Sequence, residues 1–297
     1  MQRIEKYTYT FSKDNEPVAT AKPGEILLFK TLDCFCEQIE NESQLVAEID
    51  LSHANPATGP VFVEGAEPGD VLVVDIYNID VADKGISCTF SDTGPLYESI
   101  EPRTREIPIE DGYAKFNDIT WPINPMIGVI GTAPAEDDIA CGYTGSHGGN
   151  MDSNKIAAGT RVYLPVRVPG ALLQMGDLHA TMGDGELSGT GVEISGEVTV
   201  KISLIKDFEL NWPVTELKDR WYVNATGANY EESLILASKE LARLMTPVYG
   251  WDASDILIYF SVQGFVEVNQ GVKPIHDDMV NLRVGIPKTY GKTPLIK

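Results

Sequence analysis

Val192-Glu-Ile-Ser-Gly-Glu-Val-Thr-Val-Lys-Ile-Ser-Leu-Ile205 is the stretch that decides the fold class. Val192, Ile194, Val198, Val200, Ile202 and Leu204 fall on one face, with Glu193, Ser195, Glu197, Thr199 and Lys201 on the other. A period of two over this length predicts a half-buried antiparallel strand, and Gly196 marks a bulge or kink in it. Residues 26–29, 61–63, 71–74 and 162–166 are likewise short, β-rich and bounded by Gly or Pro. Ala21-Lys-Pro-Gly-Glu-Ile-Leu and Ala66-Glu-Pro-Gly-Asp-Val-Leu repeat one pattern: a Pro-Gly turn, an acid, then a strand. A turn used twice and a true duplication both account for that echo.

Helical signal comes late. Residues 231–245 place Leu234, Ala237, Leu241 and Leu244 on one stripe, with Asn229 as N-cap and Pro247 just past the end. A second short helix is expected near Ser254, capped by Asp252 or Ser254, followed by strands around 265–268 and ending at 286. The expected fold is mainly β with an α+β C-terminal part. A β-sandwich or barrel-like body of antiparallel strands spans 1–205 and carries the active site. An α+β portion over 206–297 packs on it.

The 297 residues are 43% hydrophobic, enough for a sizeable core. The net charge of −21 repels phosphate backbones and anionic lipid, so nucleic acid and membrane surfaces are poor partners. The N-terminus has no apolar signal-peptide core, and no run of about 18 apolar residues exists to span a membrane. The four cysteines are too few for a disulfide framework, and a reduced, cytoplasmic setting is expected. Cys34 and Cys36 would point to one side of a strand, where buried thiols are the plainer reading than a metal pair.

Two of the four histidines sit among glycines and carboxylates. His147 lies in Gly145-Ser-His-Gly-Gly-Asn-Met-Asp152, and His179 in Gly176-Asp-Leu-His-Ala-Thr-Met-Gly-Asp-Gly-Glu186. Imidazole beside carboxylates is a ready ligand set for a divalent cation, and glycine lets the backbone approach an ion or substrate. In strand geometry Asp177 and His179 point the same way. Plainer readings exist: Asp184-Gly185 also fits a hairpin turn, and Gly148-Gly149-Asn150 also fits a loop. Asp33 ends a strand, His53-Ala-Asn-Pro-Ala-Thr-Gly-Pro60 offers Asn55 and Thr58 as polar handles, and His276 reads as a surface residue. No Gly/Ser-rich nucleophile run is present, and Cys141 poorly matches a reactive elbow cysteine. Metal activation of water is the economical mechanism for such a chain.

Six stretches resemble the acetamidase/formamidase family. They are Thr31-Leu-Asp-Cys-Phe-Cys-Glu-Gln-Ile39, Asn55-Pro-Ala-Thr-Gly-Pro60, Val63-Glu-Gly-Ala-Glu-Pro-Gly-Asp70, Pro125-Met-Ile-Gly-Val-Ile-Gly131, His147-Gly-Gly-Asn-Met-Asp152 and the 176–186 stretch. The resemblance implies hydrolysis of formamide or acetamide to acid and ammonia, with a divalent metal, zinc first and calcium second. It implies Asp33, His147, Asp152, Asp177, His179, Asp184 and Glu186 as functional residues; of these, Asp33, His147, Asp152, Asp177 and His179 are expected to hold the metal, and Glu186 or Asp184 to act as the base. Backbone N–H groups of Gly148 and Gly149 would steady the oxyanion, and Asn150 would meet the substrate. A homodimer joined through strand edges is expected. A non-catalytic metal-binding β-sandwich and a hydrolase of another C–N bond, such as a lactam or carbamate, remain the alternatives.

Overall fold

The computed structural model describes residues 1–272, 279–288 and 291–297; His276 lies outside the described residues. Two large, open sheets carry the fold. One has nine strands, from an edge at Gln2–Ile4 through Ile26–Thr31, Gly196–Ile205, Val71–Val81, Arg161–Pro165, Val214–Glu216, Arg220–Gly227 and Val280–Pro287 to an edge at Phe265–Gln270. The other has twelve strands and includes Lys84–Thr89, Glu193–Ile194, Leu173–His179, Met126–Gly131 and Gly148–Asn150, with Ala57–Val63 also pairing Leu173–His179. Neighbours are mostly antiparallel, and neither sheet closes into a barrel.

The sheets pack face to face over one core. Leu27, Phe29, Val198, Val200 and Ile202 meet Val61, Ile127, Ile130, Met175 and Leu178 there. The stretch that decided the fold class is two strands. Glu193–Ile194 belongs to the twelve-stranded sheet and Gly196–Ile205 to the nine-stranded one. The chain crosses between sheets at Gly196, where a Cβ would lie 2.3 Å from the Asp80 carbonyl oxygen. Beyond the crossing the alternation holds, with Val198, Val200 and Ile202 buried. Before it the alternation fails, because Glu193 is buried rather than on a polar face.

The two Pro-Gly turns adopt the same shape, with Gly24 at φ 98° and Gly69 at φ 95°. The strands that follow them flank Gly196–Ile205 on its two sides. The expected strands at 26–29, 71–74 and 162–166 all form, most of them longer than the sequence pattern. Cys34 and Cys36 share no strand face. Residues 33–37 form a turn in which Cys36 and Glu37 are left-handed, at φ 56° and 57°.

Two α-helices lie among the described residues, α1 (Tyr230–Tyr249) and α2 (Ala253–Gln263). Asn229 caps α1 by accepting from the Glu232 N–H, and Asp252 caps α2. Pro247 lies inside the last turn of α1, not beyond it; the helix stops at Gly250 in the left-handed conformation. Ala237, Leu241, Leu244 and Met245 of α1 pack against Val223, Ala225, Leu282 and Val284 of the nine-stranded sheet. Neither helix is long and apolar enough to cross a membrane.

The alternation along Ile26–Thr31 has a direct check. Phe29 is fully buried and Ile26 is exposed. Phe29→Ala should cost about 3–5 kcal/mol in urea unfolding. Ile26→Ala should change stability by no more than about 0.5 kcal/mol.

Candidate active site

The strand Leu173–His179 is buried along its whole length, because neighbouring strands and the opposing sheet cover it. At its end Asp177 takes a left-handed conformation, φ 54°. That break in regularity brings the Asp177 Oδ1 to 3.5 Å from the His179 Nε2. Three further carboxylates close on the same imidazole. Asp152 Oδ1 and Glu186 Oε1 each lie 3.9 Å from Nε2, and Glu193 Oε2 lies 3.0 Å away. Side chains from four separate segments therefore meet at one buried point.

The backbone is strained to achieve this. Asp152 (φ 44°), Asp177 (φ 54°) and Glu186 (φ 46°) all occupy the left-handed region that non-glycine residues avoid, a feature that gathers at functional sites. Gly128 forms the floor. A Cβ there would lie 2.6 Å from both Asp152 Oδ1 and Asp177 Oδ2, and its carbonyl accepts the Met151 and Asp152 N–H groups. Gly191 forms a wall. Its N–H donates to Glu193 Oε1 at 2.7 Å, and a Cβ there would lie 2.5 Å from the His179 ring.

The electrostatics are those of a crowded, dry cluster. Burial, reinforced by Glu186 and Asp177, raises Asp152 well above the ordinary carboxylate range. Burial also raises Glu186 and pushes Glu193 up to about 8, with His179 working against it in both cases. Burial alone would lower His179, but Glu193 and Asp177 outweigh it and raise its pKa well above the usual value. Nine buried side-chain nitrogen or oxygen atoms among the described residues lack a hydrogen-bond partner. They belong to His147, Asn150, Asp152, Ser153, Asn154, Asp177, His179 and Glu193, all within 147–154 and 177–193. Unsatisfied buried polar atoms are rare, so their confinement to two segments marks a place built for something besides folding.

Of the residues singled out from sequence, the fold brings together Asp152, Asp177, His179 and Glu186. Asp33 is buried nearby, where burial and the Asp177 charge raise its pKa, although the Glu37 N–H lowers it. Its Oδ1 accepts from that N–H at 2.8 Å, shaping the turn that carries Cys34. His147 stands against Phe11, ring centroids 5.0 Å apart, and burial pushes its pKa down to about 4. Gly148 and Gly149 lie in a strand paired on both edges, with the carbonyls of Ile130 and Tyr143 where Cβ atoms would go. Asn150 is buried with its Oδ1 free. Asp184 is not brought into the cluster. It is exposed and bound to Arg283 and Asn154, and Arg283 outweighs its partial burial to lower its pKa.

Glu193 and Gln270 escaped sequence reasoning, while Asn55 and Cys34 were noticed there without a place in the cluster. Glu193 was hidden by the alternation around it. Gln270 donates from Nε2 to Asp152 Oδ2 at 2.7 Å and to Glu186 Oε2 at 2.8 Å, and nothing in its local sequence signals this. Asn55 donates to Asp177 Oδ2 at 3.1 Å. Cys34 offers a thiol close to Asp177 and Glu193, and burial raises its pKa. A cleft of about 790 Å³, lined by Arg103, Trp121, Thr190 and Gly191 among others, reaches the far side of Gly191 but none of the clustered carboxylates.

A two-sheet β protein with a buried carboxylate–histidine cluster defines the class. The chain belongs to the acetamidase/formamidase family, whose model matches residues 3–140 and 143–240. It is similar over 96% of its length, at 40% identity and a TM-score of 0.92, to a predicted acetamidase/formamidase of Thermoanaerobacter tengcongensis, covering 95% of that chain. An acetamidase structure from Bacillus halodurans is 37% identical with a TM-score of 0.92, covering 96% of this chain and 97% of that one. The formamidase of Methylophilus methylotrophus is 27% identical over 64% of this chain and 62% of its own length. The chain thus spans less than two thirds of the length of the curated relatives it matches.

Crowded carboxylates that serve function rather than folding carry a stability cost. Asp152→Asn, measured by urea unfolding in the presence of a chelator, should be about 0.5–2 kcal/mol more stable than the wild type. A loss of stability would show that the ionised cluster serves the fold itself.

Proposed function

We propose that this protein is a metal-dependent hydrolase of small aliphatic amides, releasing ammonia and a carboxylic acid. The observation that carries the reading is the cluster of four carboxylates around the buried His179, with its unpartnered atoms, in a chain of this family. The names of its relatives, formamidase and acetamidase, supply the substrate class. The closed, buried site suits a substrate of very few atoms.

The donor set fits a divalent cation. Asp152, His179 and Glu186 present ligand atoms within 4.8 Å of one another, and the buried Oδ1 atoms of Asp152 and Asp177 have no hydrogen-bond partner. Imidazole with carboxylates suits zinc, and calcium next. Asp152, Asp177 and His179 would hold the ion. When bound there it would polarise the amide carbonyl and acidify a water.

The remaining steps belong to the chain. Glu186 accepts the proton of the attacking water. Burial raises its pKa, and a base poised towards neutrality both takes and returns a proton. It then delivers that proton to the departing nitrogen, so that ammonia leaves. Asp184, held by Arg283 with a lowered pKa, is the weaker candidate for this role. Asn55 fixes Asp177, and Gly191 fixes Glu193 behind His179.

Ammonia release from formamide, acetamide and propionamide, before and after chelation and zinc restoration, tests the reading. Activity should vanish on chelation and return with zinc. His179→Ala should lower turnover at least about a hundredfold. Gly128→Ala, whose added Cβ would press on Asp152 and Asp177 while leaving both residues in the sequence, should cost about a hundredfold as well. No release from any small amide by the zinc-loaded protein would overturn the substrate, and full activity after verified metal removal would overturn the mechanism.

A further inference from the structure

We propose that Gln270 is a positioning residue of the hydrolytic site, making the C-terminal strand pair a working part of that site. The proposal rests on the amide-hydrolase reading above. Residue 270 lies beyond the stretch the family model matches, which ends at 240.

The geometry runs from the nine-stranded sheet to the cluster. Phe265–Gln270 is the edge strand of that sheet, and its register with Val280–Pro287 shifts between Val268 and Gln270. A bulge of this kind re-aims the side chain beside it. Here the Gln270 carboxamide reaches into the other sheet's site and gives both Nε2 hydrogens to carboxylates, one to Asp152 and one to Glu186. It is the neutral donor shared by two buried acids that would otherwise repel, and it sets the spacing between ligand and base.

The position of Gln270 is itself enforced. Gly185, next to Glu186, donates its N–H to the Asn269 carbonyl at 3.1 Å and bridges Gln270 in parallel. The side chain of Asn269 is tied to Asn224, Asn281 and Arg283. Arg283, fully buried, forks to Glu267, Asn269 and Asp184. Asp184 thus anchors the turn that carries Glu186 to the strand that carries Gln270. This gives Asp184 a part in the site other than proton transfer.

Steady-state kinetics and zinc affinity, measured by chelator competition, test the proposal in the full chain. Gln270→Ala should lower kcat about tenfold to a hundredfold with KM within about threefold, and with an unchanged unfolding midpoint. Gln270→Glu exchanges the donor for a further acid. It should lower kcat at least as much while tightening zinc binding about tenfold, because an added carboxylate raises the ligand charge. A purely structural role would not tighten zinc while slowing turnover. Wild-type kcat and zinc affinity in both variants would overturn the proposal. If the wild type releases no ammonia, the hydrolase reading fails by itself. The zinc affinities then decide: a shift in Gln270→Glu sustains the positioning role and no shift overturns it.

Discussion

The structure turns on one unfavourable arrangement: four carboxylates crowded round a single buried imidazole. Like charges in a dry interior repel, and each pays a desolvation cost that hydrogen bonds only partly return. The cluster's neighbours read as consequences of holding it together. Asp152, Asp177 and Glu186 accept left-handed backbones to bring their oxygens inward. Gly128 and Gly191 are glycines because their absent Cβ atoms leave the space the carboxylates and the ring occupy. A divalent cation bound there, as proposed, would convert this repulsion into attraction and give partners to the unpaired oxygens of Asp152, Asp177 and Glu193.

The fold supplies the rigidity that such an arrangement needs. Leu173–His179 is gripped by strands on both sides, and the two sheets bury it between them. The crossing at Gly196 lets one continuous stretch serve both sheets, delivering Glu193 to the site and Val198, Val200 and Ile202 to the core. From the opposite direction, the Arg283 fork ties the Asp184 turn to the C-terminal strands and brings Gln270 across. The site is therefore assembled between sheets, from parts that run from Asn55 to Gln270 along the chain.

Much of this is legible in the sequence, and the failures have physical causes. Strands and helices followed from alternation and capping, since both are local. Asp152, Asp177, His179 and Glu186 stood out because glycines and acids beside histidine are costly to keep without a use. Glu193 was invisible because a polar residue in a strand of period two is assigned to solvent, and only the kink at Gly196 reverses that. Gln270 left no trace, because a bulge and a long-range network aim it, and neither is a property of its neighbours in sequence. Asp184 was read as part of the cluster by its nearness to Glu186; two residues before Glu186, the turn still faces outward, towards Arg283.

The central claim is that the orphaned cluster exists to hold a divalent cation. The most direct measurement is the metal content of purified protein, stripped by chelator and then dialysed against zinc, alongside its unfolding midpoint in each state. The account predicts that zinc is retained in whole-number stoichiometry and raises the midpoint, with both effects lost in His179→Ala. Protein that retains no zinc, calcium or other divalent ion, and unfolds identically with and without them, would contradict it.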